Sequence, residues 1–234
     1  MPRAPLVLLI LLLAQPLAAQ NARSVVHSLE QRYHRARTLK AVFYERFSDG
    51  KGALAAESGA VYFSRPGRMR WEYESPEQKL FLVDGTNVWL YVPADRTASR
   101  AKLKESSDWR TPLALLTGNA DLARMCRSIE LLNPAANPSE IPEDRPLRPG
   151  NALLRCVPRA VRDDAGNVLR EVLLESDPEA HLVRVLIREL GNVETEFRFA
   201  GWQENIAIPE SRFHFAPPAG VAIVNEDSLA GQIH

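Results

Sequence analysis

The sequence predicts a mainly β protein built on one large curled antiparallel sheet or barrel of about eleven or twelve strands. Three observations carry this expectation. Short runs with period-two alternation recur from Lys40 to Phe215 and are separated by turn residues, whereas a parallel sheet would need a helix between strands. Bulky rings fall on alternate positions, so that Met69, Trp71 and Tyr73 share one strand face, as do Trp89 and Tyr91. Helical patterning is confined to the first part of the chain and to a leucine-rich stretch over 111–124.

Residues 1–19 read as an export signal, which leaves 20–234 as the mature domain. Arg3 supplies the positive end, an unbroken apolar run covers 6–13, and Leu17-Ala18-Ala19 offers a small-residue cut before Gln20. The run is too short for a span, which needs about 20 apolar residues. The expected location is therefore outside the cytoplasm, and no cysteine follows the cut to take a lipid anchor. Twenty-nine basic residues balance twenty-nine acidic ones, which argues against a nucleic-acid partner.

A helix is expected over 22–38, where Val26, Leu29, Tyr33 and Ala36 form a narrow apolar stripe. From Lys40 the period changes to two: Phe43 and Phe47 fall on one face with Glu45 between them, and Asp49-Gly50-Lys51-Gly52 marks a turn. Strands follow at 59–65, 68–74, 79–84, 87–92 and 98–103, then at 128–132, 152–158, 168–175, 181–190, 193–203 and 212–215. Thr111 is a candidate N-cap, Pro112 fits the first helical position, and Gly118 is a natural stop. Asn119 or Asp121 caps a second short helix. Leu113, Leu115, Leu116 and Leu122 make these helices too apolar for mere connectors, and the concave aromatic sheet is the surface available to them. That aromatic side is either a plain packed core or the lining of a cavity for an apolar ligand.

Cys126 and Cys156 are the whole thiol inventory. They are either a disulfide or two buried thiols. Their midpoint falls in a loop carrying Pro134, Pro138, Pro142, Pro146 and Pro149, and if the runs on either side pair as a hairpin the two cysteines lie nearly opposite each other.

Four blocks in order make the chain resemble the LolA family over essentially its whole mature length: Phe-Ser-Arg-Pro-Gly-Arg-Met-Arg-Trp at 63–71, Leu-Val-Asp-Gly-Thr-Asn-Val-Trp-Leu-Tyr at 82–91, Thr-Pro-Leu-Ala-Leu-Leu-Thr-Gly at 111–118, and Phe-Ala-Pro-Pro-Ala-Gly-Val at 215–221. The resemblance implies an open, incomplete antiparallel β-barrel with an α-helical lid. It also implies a periplasmic chaperone that takes the acyl chains of lipoproteins from a LolCDE-like inner-membrane exporter to a LolB-like outer-membrane receptor. A monomer without cofactor or metal is expected. The acyl-chain cavity is then assigned to Phe43, Phe47, Phe63, Met69, Trp71, Tyr73, Trp89, Tyr91, Leu113 and Leu116. Arg65 becomes a lid latch, bonded to backbone carbonyls near Leu116, Thr117 and Tyr33; without the resemblance it reads as an exposed strand arginine before a turn. The cysteine pair and the proline-rich 133–150 loop depart from the family pattern.

Rival readings are weaker. There is no Gly-x-Ser-x-Gly elbow, no His-Glu-x-x-His pair and no glycine-rich phosphate loop to support an enzyme of lipid metabolism. A glycolipid or sterol carrier, or an RseB-like envelope sensor that binds lipoproteins, is the alternative on the same scaffold.

Overall fold

The computed structural model describes residues 21–103, 116, 121–133, 144–159 and 168–226. The export signal, Leu113, Thr117 and residues 134–143 of the proline-rich loop lie outside the described residues. Helix α1 (Ala22–Arg35) opens on a capping box, in which the Asn21 side chain accepts from Ser24 N and the Ser24 hydroxyl accepts from Asn21 N. It buries Val25, Leu29 and Tyr33 at four-residue spacing. The helix ends three residues earlier than the sequence pattern indicates, because Ala36 is already extended and Thr38 begins the first strand.

Twelve strands follow: β1 (Thr38–Ser48), β2 (Leu54–Ser64), β3 (Arg68–Ser75), β4 (Lys79–Val83), β5 (Asn87–Val92), β6 (Thr97–Lys102), β7 (Cys126–Leu132), β8 (Ala152–Pro158), β9 (Leu169–Ser176), β10 (Leu182–Glu189), β11 (Glu194–Glu204) and β12 (Ala222–Asn225). A single turn of helix, α2 (Leu122–Met125), precedes β7 and is capped by Asp121. The strands form one sheet in the order β12-β6-β5-β4-β3-β2-β1-β11-β10-β9-β8-β7, so it stays open with two different edges. Inward-facing residues from β3 and β4 join those from β8, β9 and β10 in a single core, so the sheet curls around that core.

The last strand corrects one expectation. Residues 212–215 do not pair in the sheet: Glu210–Phe213 forms a 3-10 turn, and the closing strand is β12, parallel to β6 with Ala222 opposite Thr97. Pro209 starts that turn, and Phe213 and Phe215 pack against the convex side of the sheet instead of extending it.

Cys126 and Cys156 form a disulfide with Cα atoms 5.5 Å apart. Direct strand partners are Ile129 with Cys156 and Cys126 with Pro158, with a register shift between Cys126 and Ser128. The bridge therefore runs diagonally between β7 and β8.

Both faces of the sheet are covered in part. On the convex side of β8–β11, Arg184 lies 2.9 Å from Glu175, while Arg188 contacts Asp144, Glu171 and Glu194. Burial works to lower the Arg188 pKa, but its carboxylate partners outweigh this and raise it. Leu147 N donates to Glu175, and Arg184 donates to the Arg145 carbonyl, so the described end of the proline-rich loop straps down on this face. It has no part in the concave side.

Candidate functional site

The concave face is built by strand parity. On β1, Leu39, Ala41, Phe43, Glu45 and Phe47 alternate inward; on β3, Met69, Trp71 and Tyr73 do so. Trp71, fully buried, is the hub: its ring lies 4.7 Å from Phe43, 6.3 Å from Phe63, 5.6 Å from Phe197 and 6.1 Å from Phe199, always edge to face. Phe197 and Phe199 belong to the same floor but were not flagged by the sequence. Their alternation on β11, three residues before Trp202, was the available signal.

Trp89 and Tyr91 sit on the other side of the sheet, which corrects their assignment to the cavity. Trp71 pairs with Phe81, and Leu82 pairs with Trp89, so the ring of Trp89 lies beside Leu82 on the convex face. There Leu80, Leu82, Trp89 and Phe213 form a second core, with Tyr62, Tyr91, Ile208 and Phe215 packed on it. The inward residues of β5 are Val88 and Leu90. The indole of Trp89 donates to Asp84, which also accepts from the backbone of Thr86 and Asn87, so this tryptophan anchors the β4–β5 turn.

Helix α1 closes the concavity, and the burial of Val25, Leu29 and Tyr33 marks the face it lays on the core together with Leu116 and Leu122. Among the described residues, the aromatic floor is packed beneath α1. The crevice between Arg65, Phe63, Leu39, Ala36 and Leu116 holds about 10 Å³, roughly the room of one water molecule, far below the roughly 300–1,000 Å³ usual for a small-molecule site.

Arg65 donates to the backbone carbonyl of Tyr33, one of the carbonyls left without an intrahelical partner in the last turn of α1. Partial burial lowers the pKa of this guanidinium. Among the described residues its side chain hydrogen-bonds Tyr33 alone, and Leu116 meets it as an apolar wall of the crevice. Three further fasteners hold α1 and were not read from the sequence. Leu182 N donates to the Tyr33 hydroxyl at 2.7 Å, Arg32 bonds Glu204 at 2.6 Å and the Glu179 carbonyl at 2.6 Å, and Leu122 N donates to Glu30 at 2.7 Å. Asp177, Glu179 and His181 stand close enough to ligate a metal, but Arg32 contacts both the Glu179 carbonyl and His181 and already supplies the positive charge there.

At the end of the concave face remote from Arg65, Glu45 is 1 % exposed and accepts from the Tyr73 hydroxyl at 2.9 Å. Its cross-strand neighbour Glu57 is held by Lys79 at 2.5 Å, and the Lys79 ammonium lies 4.3 Å over the Tyr73 ring. Burial pushes the Glu45 carboxyl up to about 7, against the Tyr73 hydrogen bond, which lowers it. Glu45 Oε1 and the indole nitrogen of Trp71 are both buried with no hydrogen-bond partner among the described residues. An unmet buried polar atom costs about 1–3 kcal/mol, which makes two on one apolar floor a notable expense.

A curled open sheet whose apolar concave face lies under a helix fastened by a handful of polar bonds defines a class: half-barrels covered by a helix. Comparison with known proteins makes this definite. Residues 34–131 match the model of the family described as outer membrane lipoprotein carrier protein LolA. The outer-membrane lipoprotein carrier protein of Chromobacterium violaceum is 30% identical over 217 residues, covering 92% of this chain and 94% of that protein. Its namesake from Nitrosospira multiformis is 29% identical over 204 residues, covering 86% and 88%. The chain belongs to the LolA family. An uncharacterized conserved protein from Thermus thermophilus shares the fold, with a TM-score of 0.52 at 11% identity over 88% of this chain and 99% of that one.

Proposed function

We propose that this protein is a periplasmic carrier that shields the acyl chains of lipoproteins while they travel from an inner-membrane exporter of LolCDE type to an outer-membrane receptor of LolB type. The observation that carries the reading is the fully buried aromatic floor around Trp71, covered by a helix attached through Arg65, Arg32, Tyr33 and Glu30. Each buried methylene is worth about 0.8 kcal/mol, so a lipid anchor in water costs tens of kcal/mol and needs a dry compartment. An empty concave face of this kind would attract membranes and other chains, so it must close when unloaded. Inserted acyl chains offset the polar bonds of α1, which makes the lid a two-state element whose open form the cargo selects. Membership of the LolA family supports a carrier and not an enzyme. Among the described residues no helix is long and apolar enough to cross a membrane.

The test is extraction. Purified protein mixed with vesicles holding a fluorescent tri-acylated lipoprotein and an energised exporter is expected to release a soluble one-to-one complex. Lipoprotein that stays with the vesicles overturns the reading.

A further inference from the structure

Two polar atoms, Glu45 Oε1 and the Trp71 indole nitrogen, stand unpaired in an otherwise apolar floor. Trp71 and Tyr73 are alternate residues of β3, and Phe43 packs on both, 4.7 Å from the first ring and 5.0 Å from the second. Tyr73 holds Glu45 through Oε2, which leaves Oε1 without a partner; the Trp71 indole N–H has none either. Both residues are sealed from water, at 1 % and 0% exposure. Nothing in the architecture of the sheet requires them to be polar, and phenylalanine and leucine fill the equivalent positions around them.

The surroundings fix the chemistry of the pair. Besides Tyr73, the charged groups facing Glu45 are Glu57 and Lys79, and these two neutralise each other at 2.5 Å. Burial outweighs every other influence on Glu45 and favours its neutral acid below about pH 7; with Oε2 accepting from Tyr73, the acid proton then belongs on Oε1. In that form the floor presents two donors, O–H from Glu45 and N–H from Trp71, with no acceptor for either among the described residues.

We propose that Glu45 Oε1 and the Trp71 indole nitrogen form a hydrogen-bonding subsite for the carbonyl oxygens that link acyl chains to their headgroup, ester or amide. The inference rests on the carrier reading and deepens it, from shielding of any apolar chain to recognition of an acyl linkage. Glu45 lies near the polar rim of Glu57 and Lys79, seven residues along β1 from Thr38 and so about 23 Å from the Arg65 end at the strand rise of about 3.3 Å per residue, whereas Trp71 is level with Ala41, three residues from Thr38. The headgroup accordingly sits at the Glu45 end, and the chains run from there past Trp71 beneath α1 toward Arg65.

Paired lipid probes test this. An S-(dipalmitoylglyceryl) cysteinyl peptide carries two ester carbonyls; its dihexadecyl ether analogue has chains of the same length and none. Affinities are measured on the full mature protein by displacement of an apolar fluorescent dye. Wild type is expected to prefer the ester by about 5- to 10-fold, the span of one ordinary net hydrogen bond. Glu45→Leu and Trp71→Phe should each bring the ratio toward one. Glu45→Gln, whose amide is also a donor, should keep it, and Trp89→Phe on the convex face should leave it unchanged. An ester-to-ether ratio in Glu45→Leu and Trp71→Phe equal to that of wild type, or a wild-type ratio of one, overturns the subsite and leaves the carrier reading standing. Failure of wild type to bind either probe overturns both.

Discussion

The Tyr73 hydroxyl reaches across β2 to donate to Glu45 at 2.9 Å, which places a carboxyl group inside the aromatic core of the concave face. A carboxyl so placed gives the protein an unusual response to pH. The folded-state pKa of Glu45, about 7, stands above the ordinary 4.5 of the unfolded chain. The native state therefore binds the proton more tightly, and stability falls as pH rises between these values. The site's contribution is complete below about pH 4.5 and lost above about pH 7, amounting to about 3 kcal/mol. Urea unfolding from pH 5 to pH 8 should show this decline in wild type and a flatter profile in Glu45→Gln. Identical slopes for the two proteins would show that Glu45 does not titrate in this range.

The Arg65 bond to Tyr33 predicts an asymmetric defect. Arg65→Leu should cost about 1 kcal/mol of stability, since the guanidinium is partly solvated. Because the closed form loses a fastener, the variant should load lipoprotein at least as well as wild type but transfer it poorly to an outer-membrane acceptor. Arg32→Leu, which removes the bonds to Glu204 and Glu179, should behave alike. Normal transfer by Arg65→Leu would remove this arginine from the lid mechanism.

Separation of the two faces predicts a separation of phenotypes. Phe213 is 1 % exposed in the convex cluster, so Phe213→Ala should lower stability by about 3–5 kcal/mol. Its effect on lipid affinity, measured well below the melting temperature, should be nil. A selective loss of binding would place the convex cluster in the ligand site.

The Cys126–Cys156 bridge closes a span of 30 residues. Chain-entropy arithmetic for a loop of that size gives about 3–4 kcal/mol. Reduction, or a Cys126→Ala/Cys156→Ala double variant, should shift the urea midpoint accordingly. An unchanged midpoint would show that β7 is held by its ladder with β8 alone.

Gly59 stands at a close approach of β2 to β3: a Cβ there would lie 1.9 Å from the Glu72 carbonyl oxygen, beside the register shift at Ser58. Gly59→Ala should destabilise by about 3 kcal/mol through displaced backbone. Stability within 0.5 kcal/mol of wild type, as for an ordinary surface change, would contradict the close approach.

Much of this was legible in the residues. The alternation of Phe43, Trp71 and Tyr73, the turn residues between short runs, and the block around Arg65 lead directly to the curled sheet and its concave floor. Parity alone failed for Trp89, because β4 is apolar on both faces and only the register of the Asp84 turn decides which side the next ring takes. The same limit hid β12, whose partner β6 lies far back in the chain and is parallel to it. Glu45 shares parity with Phe43 and Phe47, so its inward position was readable; that a carboxyl would be tolerated there was not, since its relief comes from Tyr73 on another strand. The bonds of Arg32 and Glu30 join segments 92 to 172 residues apart, beyond any local pattern.

The position of β1 also governs how this chain can be assembled. Its partner on one side is β2, the next strand in sequence, and on the other β11, so that Arg46 waits for Glu196, 150 residues later. Closing such a long loop is slow, and no stretch of the chain made before β11 can finish the spine of the sheet. Until then the apolar runs of β4, β9 and β10 have no finished core to enter. A newly made molecule therefore passes through a sticky, half-built stage, and a holding chaperone or simple dilution during that interval should raise the yield of the folded carrier.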